Sequence, residues 1–159
     1  MFTNKRYEQA LVAFQRAGRT REAAICHAFF LREIARGVPD DLAREMEDAF
    51  IEAGEAFSVC AKEALSHQKK ERSAYYTNAA ECFVQGYRFK KAGDCFVHAE
   101  KYSEAACAYQ EGGHFDEMTE VLEGHADQIE PNLHAQLMLV AQTNRSKVGK
   151  TVYHERLDD

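Results

Sequence analysis

The sequence predicts an all-α fold, a solenoid of antiparallel short helices in units of about thirteen residues, with one longer helix near residues 41–66. Three observations predict it: a thirteen-residue internal period, helical spacing of the repeated residues inside each period, and only two prolines, Pro39 and Pro131, among 159 residues. A repeat outweighs local propensity, because it fixes the unit of architecture before any single helix is assigned.

The period is clearest from Tyr76 onward. An aromatic residue recurs as Tyr76, Phe89, Tyr102 and Phe115, and a small pair follows as Ala79-Ala80, Ala92-Gly93 and Ala105-Ala106, lapsing at Met118-Thr119. A second large residue stands at Phe83, Phe96, Tyr109 and Leu122, and Gly86, Ala99, Gly112 and His125 close the units. The pattern also appears as Tyr7, Ala10-Leu11, Phe14, Ala17; as Thr20, Ala23-Ala24, His27; and as Phe50, Ala53-Gly54, Phe57, Cys60. Steps of three, four and three place these residues on one helix face. Small residues in mid-helix let two backbones cross closely, and the aromatics fill the space beside the crossing. In Gly86-Tyr87-Arg88 and Gly112-Gly113-His114 a glycine is expected to supply the left-handed residue that ends a helix. Such short helices are marginal alone, so each unit is expected to be stable only when stacked.

In chain order, helices are expected at 4–17, 20–36, 41–66, 72–86, 89–99, 102–112, 115–124 and 131–143. The second stops at Gly37 before Pro39. Asp40 or Asp41 is the expected N-cap of the third, whose first turns are rich in acid (Glu45, Glu47, Asp48), as a helix N-terminus favours. Ser66–Lys70 lacks apolar periodicity and is expected to link residues 1–66, the irregular N-terminal helices, to the regular repeats of 72–125. Pro131 suits a first-turn position, and Leu133, Leu137, Met138, Val140 and Ala141 make the next helix amphipathic, a cap for the stack. Residues 1–144 therefore form one helical-repeat domain, and 145–159 a loosely structured tail. His27 is expected in the core or at its boundary. The N-terminus starts almost inside a helix, so the chain reads as a segment of a larger protein.

The motif Phe89-x-x-Ala92-Gly93-x-x-Phe96, repeated as Tyr102-x-x-Ala105-Ala106-x-x-Tyr109, resembles the tetratricopeptide signature. It departs from it in period, since two units make 26 residues rather than 34, and in lacking the closing proline. Short-helix arrays of this kind are similar to the repeat segments of NSF-attachment-type adaptors, and of fungal proteins joining tetratricopeptide and ankyrin repeats to a UvrD-like helicase. Gly113–Leu122, followed by Pro131 and a helix, is most like the fungal type. The resemblance implies adaptor work on a protein, peptide or helix.

Composition is that of an ordinary globular chain, 45% apolar and 29% charged. No run approaches the ~20 apolar residues of a membrane span, and no signal-peptide h-region is present, so a cytoplasmic, or nuclear, location is expected. Five cysteines, an odd number without a Cys-x-x-Cys pair, read as free buried thiols. The net charge of -6 resolves into +4 over residues 1–36, -6 over 37–66, +3 over 67–101 and -7 over 102–159.

Catalytic chemistry finds little footing. Cys26 and His27 are adjacent, but neighbours on a helix point about 100° apart. His98, His114 and His125 lie on successive units without the paired spacing of a zinc site, and Glu117, Glu120 and Glu123 form a solvated face. Gly112-Gly113 is a turn, and Val148-Gly149-Lys150-Thr151 lacks the upstream glycine of a phosphate loop. No enzyme activity, cofactor, metal or small-molecule substrate is expected. Arg16, Arg19 and Arg21, with Lys69-Lys70, Arg72, Arg88, Lys90 and Lys91, are the basic clusters for an alternative nucleic-acid-contacting role, and Tyr75 and Tyr87 are free to stack. The favoured expectation is a non-catalytic protein-interaction scaffold whose surface includes Tyr75, Asn78, Tyr87, Arg88, Lys90 and Lys91, with Gln85 beside them. A structural spacer is the third reading.

Overall fold

The computed structural model describes the backbone of residues 2–158 and the side chains of residues 5–144, and among the described residues every regular element is helical. Eight α-helices follow one another: α1 (Phe2–Arg16), α2 (Thr20–Arg36), α3 (Ala43–Glu63), α4 (Lys69–Gln85), α5 (Phe89–His98), α6 (Tyr102–Glu111), α7 (Phe115–Gly124) and α8 (Pro131–Asp158). A short 3-10 turn, Ala126–Gln128, precedes the last. Each helix packs on its neighbour in the chain, and α8 also reaches α6.

The thirteen-residue rhythm comes from one turn that recurs bond for bond. Gly18, Tyr87, Glu100 and Gly113 are left-handed, with φ of 71°, 57°, 60° and 75°. Their N–H groups donate to the carbonyls of Gln15, Val84, Val97 and Gln110, three residues back, at 2.9–3.2 Å. The next N–H groups, of Arg19, Arg88, Lys101 and His114, donate to Phe14, Phe83, Phe96 and Tyr109, five residues back, at 2.8–2.9 Å. This is the Schellman pair of bonds, and the deeper acceptor is always the second large residue of the unit. The same four residues then open the next helix: their carbonyls accept from Ala23, Ala92, Ala105 and Met118 at 2.9–3.0 Å. One residue thus closes a helix and starts another, which leaves no room for a loop.

The glycine expectation is corrected in part. Gly113 is left-handed, but Gly86 has φ -89° and Gly112 φ -86°. Tyr87 and Glu100, which carry side chains, hold the left-handed position in their units, at a cost of roughly 1 kcal/mol each. Gly86 answers to close approach: a Cβ there would stand 2.7 Å from Ile51 Cγ1 of α3.

The repeated columns form the core. Ala79, Ala80, Ala92, Ala105 and Ala106 are fully buried, with Phe83, Phe96, Tyr109 and Leu122 beside them, and one cluster runs from Ala28 to Ala141. Thr119, at the lapsed small position, satisfies its buried hydroxyl by donating to the Phe115 carbonyl at 2.8 Å. Tyr76 stacks on His98 and Tyr102 on His125, at centroid separations of 4.8 and 3.6 Å, so the pairs α4–α5 and α6–α7 repeat the same contact.

Other expectations are corrected. His27 is exposed, although Ala23 of the same column is buried: α2 turns Ala23, Cys26, Ala28 and Ala35 inward and leaves His27 on the outer side. The N-cap of α3 is Leu42, with no side-chain bond, so neither Asp40 nor Asp41 caps it. In the linker, the Gln68 carboxamide oxygen accepts from the Leu65 N–H at 3.0 Å, and α4 begins at Lys69. Glu130 anchors α8 by accepting from the N–H groups of Asn132 and Leu133 at 3.1 and 2.9 Å. The backbone of α8 continues to Asp158, through the segment expected to be a loose tail; its sequence offers only Gly149 as a weak break. The tail's side chains, and Asp159, lie outside the described residues.

Candidate interaction surface

The six residues expected to form one surface are distributed over several. Tyr75 and Asn78 of α4 are half-buried. Burial pushes the Tyr75 hydroxyl pKa up, with the nearby Cys60 and Glu71 acting in the same direction. Asn78 Oδ1 accepts from Arg32 Nη1 of α2 at 3.2 Å, and the Arg32 guanidinium lies over the rings of Phe29 and Phe57 at 4.9 and 5.4 Å. These two residues tie helices together. On α5, Lys91 Nζ stands 3.4 Å from Glu55 of α3 and 5.6 Å from the centre of the Phe83 ring. Lys90 stands 3.7 Å from Asp94 one turn on. Such exposed pairs are worth about 0–1 kcal/mol and remain available to a competitor. Tyr87 is 62% exposed at its turn, with its ring edge-on to Phe89 at 6.2 Å, and Arg88 beside it is exposed. Tyr87, Arg88, Lys90 and Lys91 are exposed and close together in the chain.

Three grooves separate alternate helices. One, of about 450 Å³, lies between α2 and α4 with α3 behind it, and mixes Arg32 and Arg36 with Asp40 and Glu81. A second, of about 400 Å³, lies between α3 and α5 with α4 behind it, and mixes Lys62 and Lys91 with Glu55 and Asp94. The third, of about 390 Å³, lies along α4, α6 and α8 with α5 behind it. Val84, Phe89, Phe96, Cys107, Ala108 and Leu133 line it, and Glu104 and Glu111 are its charged residues.

Sequence reasoning missed this third groove. Its legible signal was charge: residues 102–144 contain eight acidic residues and no lysine or arginine. Glu104 and Glu111 are seven residues apart, two turns on the same side of α6.

Every cysteine thiol has its pKa raised, with burial as the first cause. Cys26 donates its thiol to the Tyr7 carbonyl at 3.3 Å while His27 faces outward. Burial pushes Cys60, Cys82 and Cys95 up to about 11, from an ordinary 9.0. Cys107 is raised too, by burial first and then by the Glu104 and Glu111 carboxylates on either side. Tyr109 is raised furthest, by burial and by donating to Asp94 Oδ1 at 2.5 Å. His98 and His125 are held by their tyrosine stacks, and among the described residues no three metal-ligating side chains converge.

These raised acids carry a sign. A group whose pKa is raised in the fold contributes stability that is whole below its unfolded value and lost as pH climbs through its folded value. The chain is therefore expected to keep its urea midpoint up to about pH 9 and to lose stability from there toward about pH 11. Replacing Cys60, Cys82 and Cys95 together by alanine should flatten that loss, whatever it does to the midpoint at pH 7. An unchanged slope would show that the thiols ionise without unfolding.

No helix of the described residues is long and apolar enough to cross a membrane. No family model matches the chain, and no curated protein or solved structure matches it.

Proposed function

We propose that the chain is a tetratricopeptide-like α-solenoid acting as a non-catalytic protein-interaction scaffold, a repeat segment of a larger intracellular protein. The observation that carries this reading is the pattern of grooves. Even-numbered helices flank two of them and odd-numbered helices the third, each with the intervening helix as its floor. Alternation of this kind is what a two-layer stack of antiparallel helices produces, and the recurring Schellman turn supplies a regular step between layers. Contacts between alternate helices agree with it: Arg32 to Asn78 joins α2 and α4, and Lys91 to Glu55 joins α5 and α3. Grooves of roughly 300–1,000 Å³ are the size that receives ligand side chains.

The test is affinity capture on the full chain at ~50 and ~200 mM salt, with and without nuclease, followed by identification of what is retained. A nuclease-resistant protein that survives the higher salt supports the scaffold. Material that is nuclease-sensitive and washes off with salt would transfer the proposal to the basic clusters and a nucleic acid. An empty capture would favour a spacer.

A further inference from the structure

We infer that the groove along α4, α6 and α8 docks a basic amphipathic helix of a partner protein, with apolar side chains on Val84, Phe89, Cys107 and Leu133 and cations against Glu104 and Glu111. The inference rests on the scaffold reading and gives it a site and a partner chemistry.

Apolarity comes first. Val84, Phe89, Cys107 and Leu133 are only half-buried, so the lining of this groove is mainly apolar and carries no basic residue, whereas the other two grooves are lined by charges of both signs. Covering such surface is the main favourable term in association. Charge then selects the occupant. None of the eight acidic residues of 102–144 takes part in an ion pair among the described residues, and no cation lies within that stretch to provide one. Carboxylates with no cationic partner among the described residues favour a cationic ligand and disfavour nucleic acid or an anionic membrane, by like-charge repulsion. Geometry sets the spacing: seven residues on α6 span about 10.5 Å, so a helix lying along α6 meets both carboxylates with lysines or arginines seven apart. Between those cations, apolar residues at i, i+3 and i+4 face the groove.

Cys107 gives an internal reporter, because it lies between Glu104 and Glu111 and is the one cysteine that is not buried. The probe is a fluorescent helical peptide of roughly 18 residues with a leucine face and lysines seven apart, beside a twin in which the lysines are glutamates. Anisotropy should show the lysine peptide binding, more weakly at ~200 than at ~50 mM salt, and the glutamate twin failing to bind. Glu104→Gln with Glu111→Gln should weaken binding about tenfold, since two charge pairs are removed. Saturating peptide should slow alkylation of Cys107 in the unaltered chain, a reading that needs no variant to fold.

Equal weakening by Glu120→Gln with Glu123→Gln on α7 would mean diffuse attraction and overturn the inference, as would alkylation of Cys107 at an unchanged rate. A dimer of the chain that dissociates in the Glu104→Gln, Glu111→Gln variant would give the groove to a second copy instead. If affinity capture retains the same salt-resistant protein with that variant as without it, the groove assignment fails while the scaffold reading stands.

Discussion

Phe57→Ala is expected to lower the free energy of unfolding by about 3–5 kcal/mol, the range for emptying a buried phenylalanine site. Phe57 is fully buried in the second large position of the α3 unit. Its ring meets Phe29 of α2 edge-on at a centroid distance of 5.0 Å and lies under the Arg32 guanidinium. Truncation therefore removes core volume and an aromatic contact, and unseats an arginine whose Nε is already buried without a partner. Whole-domain stabilities are typically about 5–15 kcal/mol, so one substitution takes a large share. Val59→Ala on the same helix, where the side chain is 49% exposed, should cost less than about 0.5 kcal/mol. Urea titration followed by circular dichroism measures both. A Phe57→Ala loss below about 1 kcal/mol would mean that α1–α3 unfold apart from the rest, and hydrogen exchange would then show their amides opening first.

That experiment also bears on how the chain can be read. The columns at Tyr76, Ala79, Ala80 and Phe83 and their thirteen-residue echoes were legible because burial on a helix imposes a period; the structure buries the small pairs and the second large residues of these repeats, while Phe89, Tyr102 and Phe115 of the first column are half-buried. The boundaries of α5, α6 and α7 followed to within a residue, since each of these units had to turn in three residues, whereas α4 starts at Lys69 and α8 runs on to Asp158. At the stack's end the pattern misled. Tyr7 and Phe14 fit the columns but are only half-buried, because α1 has a neighbour on one side only, and His27 fits and is exposed. Sequence spacing places a residue on a face; it does not say whether another helix covers that face. The turn residues were misread for a different reason: the left-handed position is fixed by the Schellman bonds, and Tyr87 and Glu100 accept it despite their side chains because packing on both sides holds the turn.

The site was the least legible part. Asn78 and Tyr75 were singled out as off-column residues, yet off-column positions on α4 face α2 and α3 as well as solvent. Phe89 and Cys107, expected in the core and among the buried thiols, are half-exposed because α4, α6 and α8 leave a groove over α5 between them, a tertiary fact that no local pattern carries.

Gly93→Ala should destabilise by about 1–3 kcal/mol, the cost of overpacking a filled core, even though alanine is the better helix former by about 1 kcal/mol. A Cβ at Gly93 would press against the ring of Tyr109, 2.6 Å from Cδ1 and far closer than van der Waals contact. The ring has little freedom to yield. It is 4% exposed, and its hydroxyl donates to Asp94, the residue next to Gly93 on α5. The two ends of one side chain are thus clamped on the same stretch of helix, and making room for a methyl group means stretching the 2.5 Å bond or separating α5 from α6. Either loosens a thirteen-residue step on which every later unit is stacked. Gly124→Ala is the matched control: it lies at the end of α7 with nothing within 4 Å and an ordinary φ, so it should be neutral or slightly stabilising. The clamp predicts strong coupling, in that Tyr109→Leu in the Gly93→Ala background should cost less than Tyr109→Leu alone. Additive losses in that cycle would mean that α5 and α6 absorb the methyl group by shifting as rigid bodies, and that small residues at the crossing are tolerated by the stack without being demanded by it.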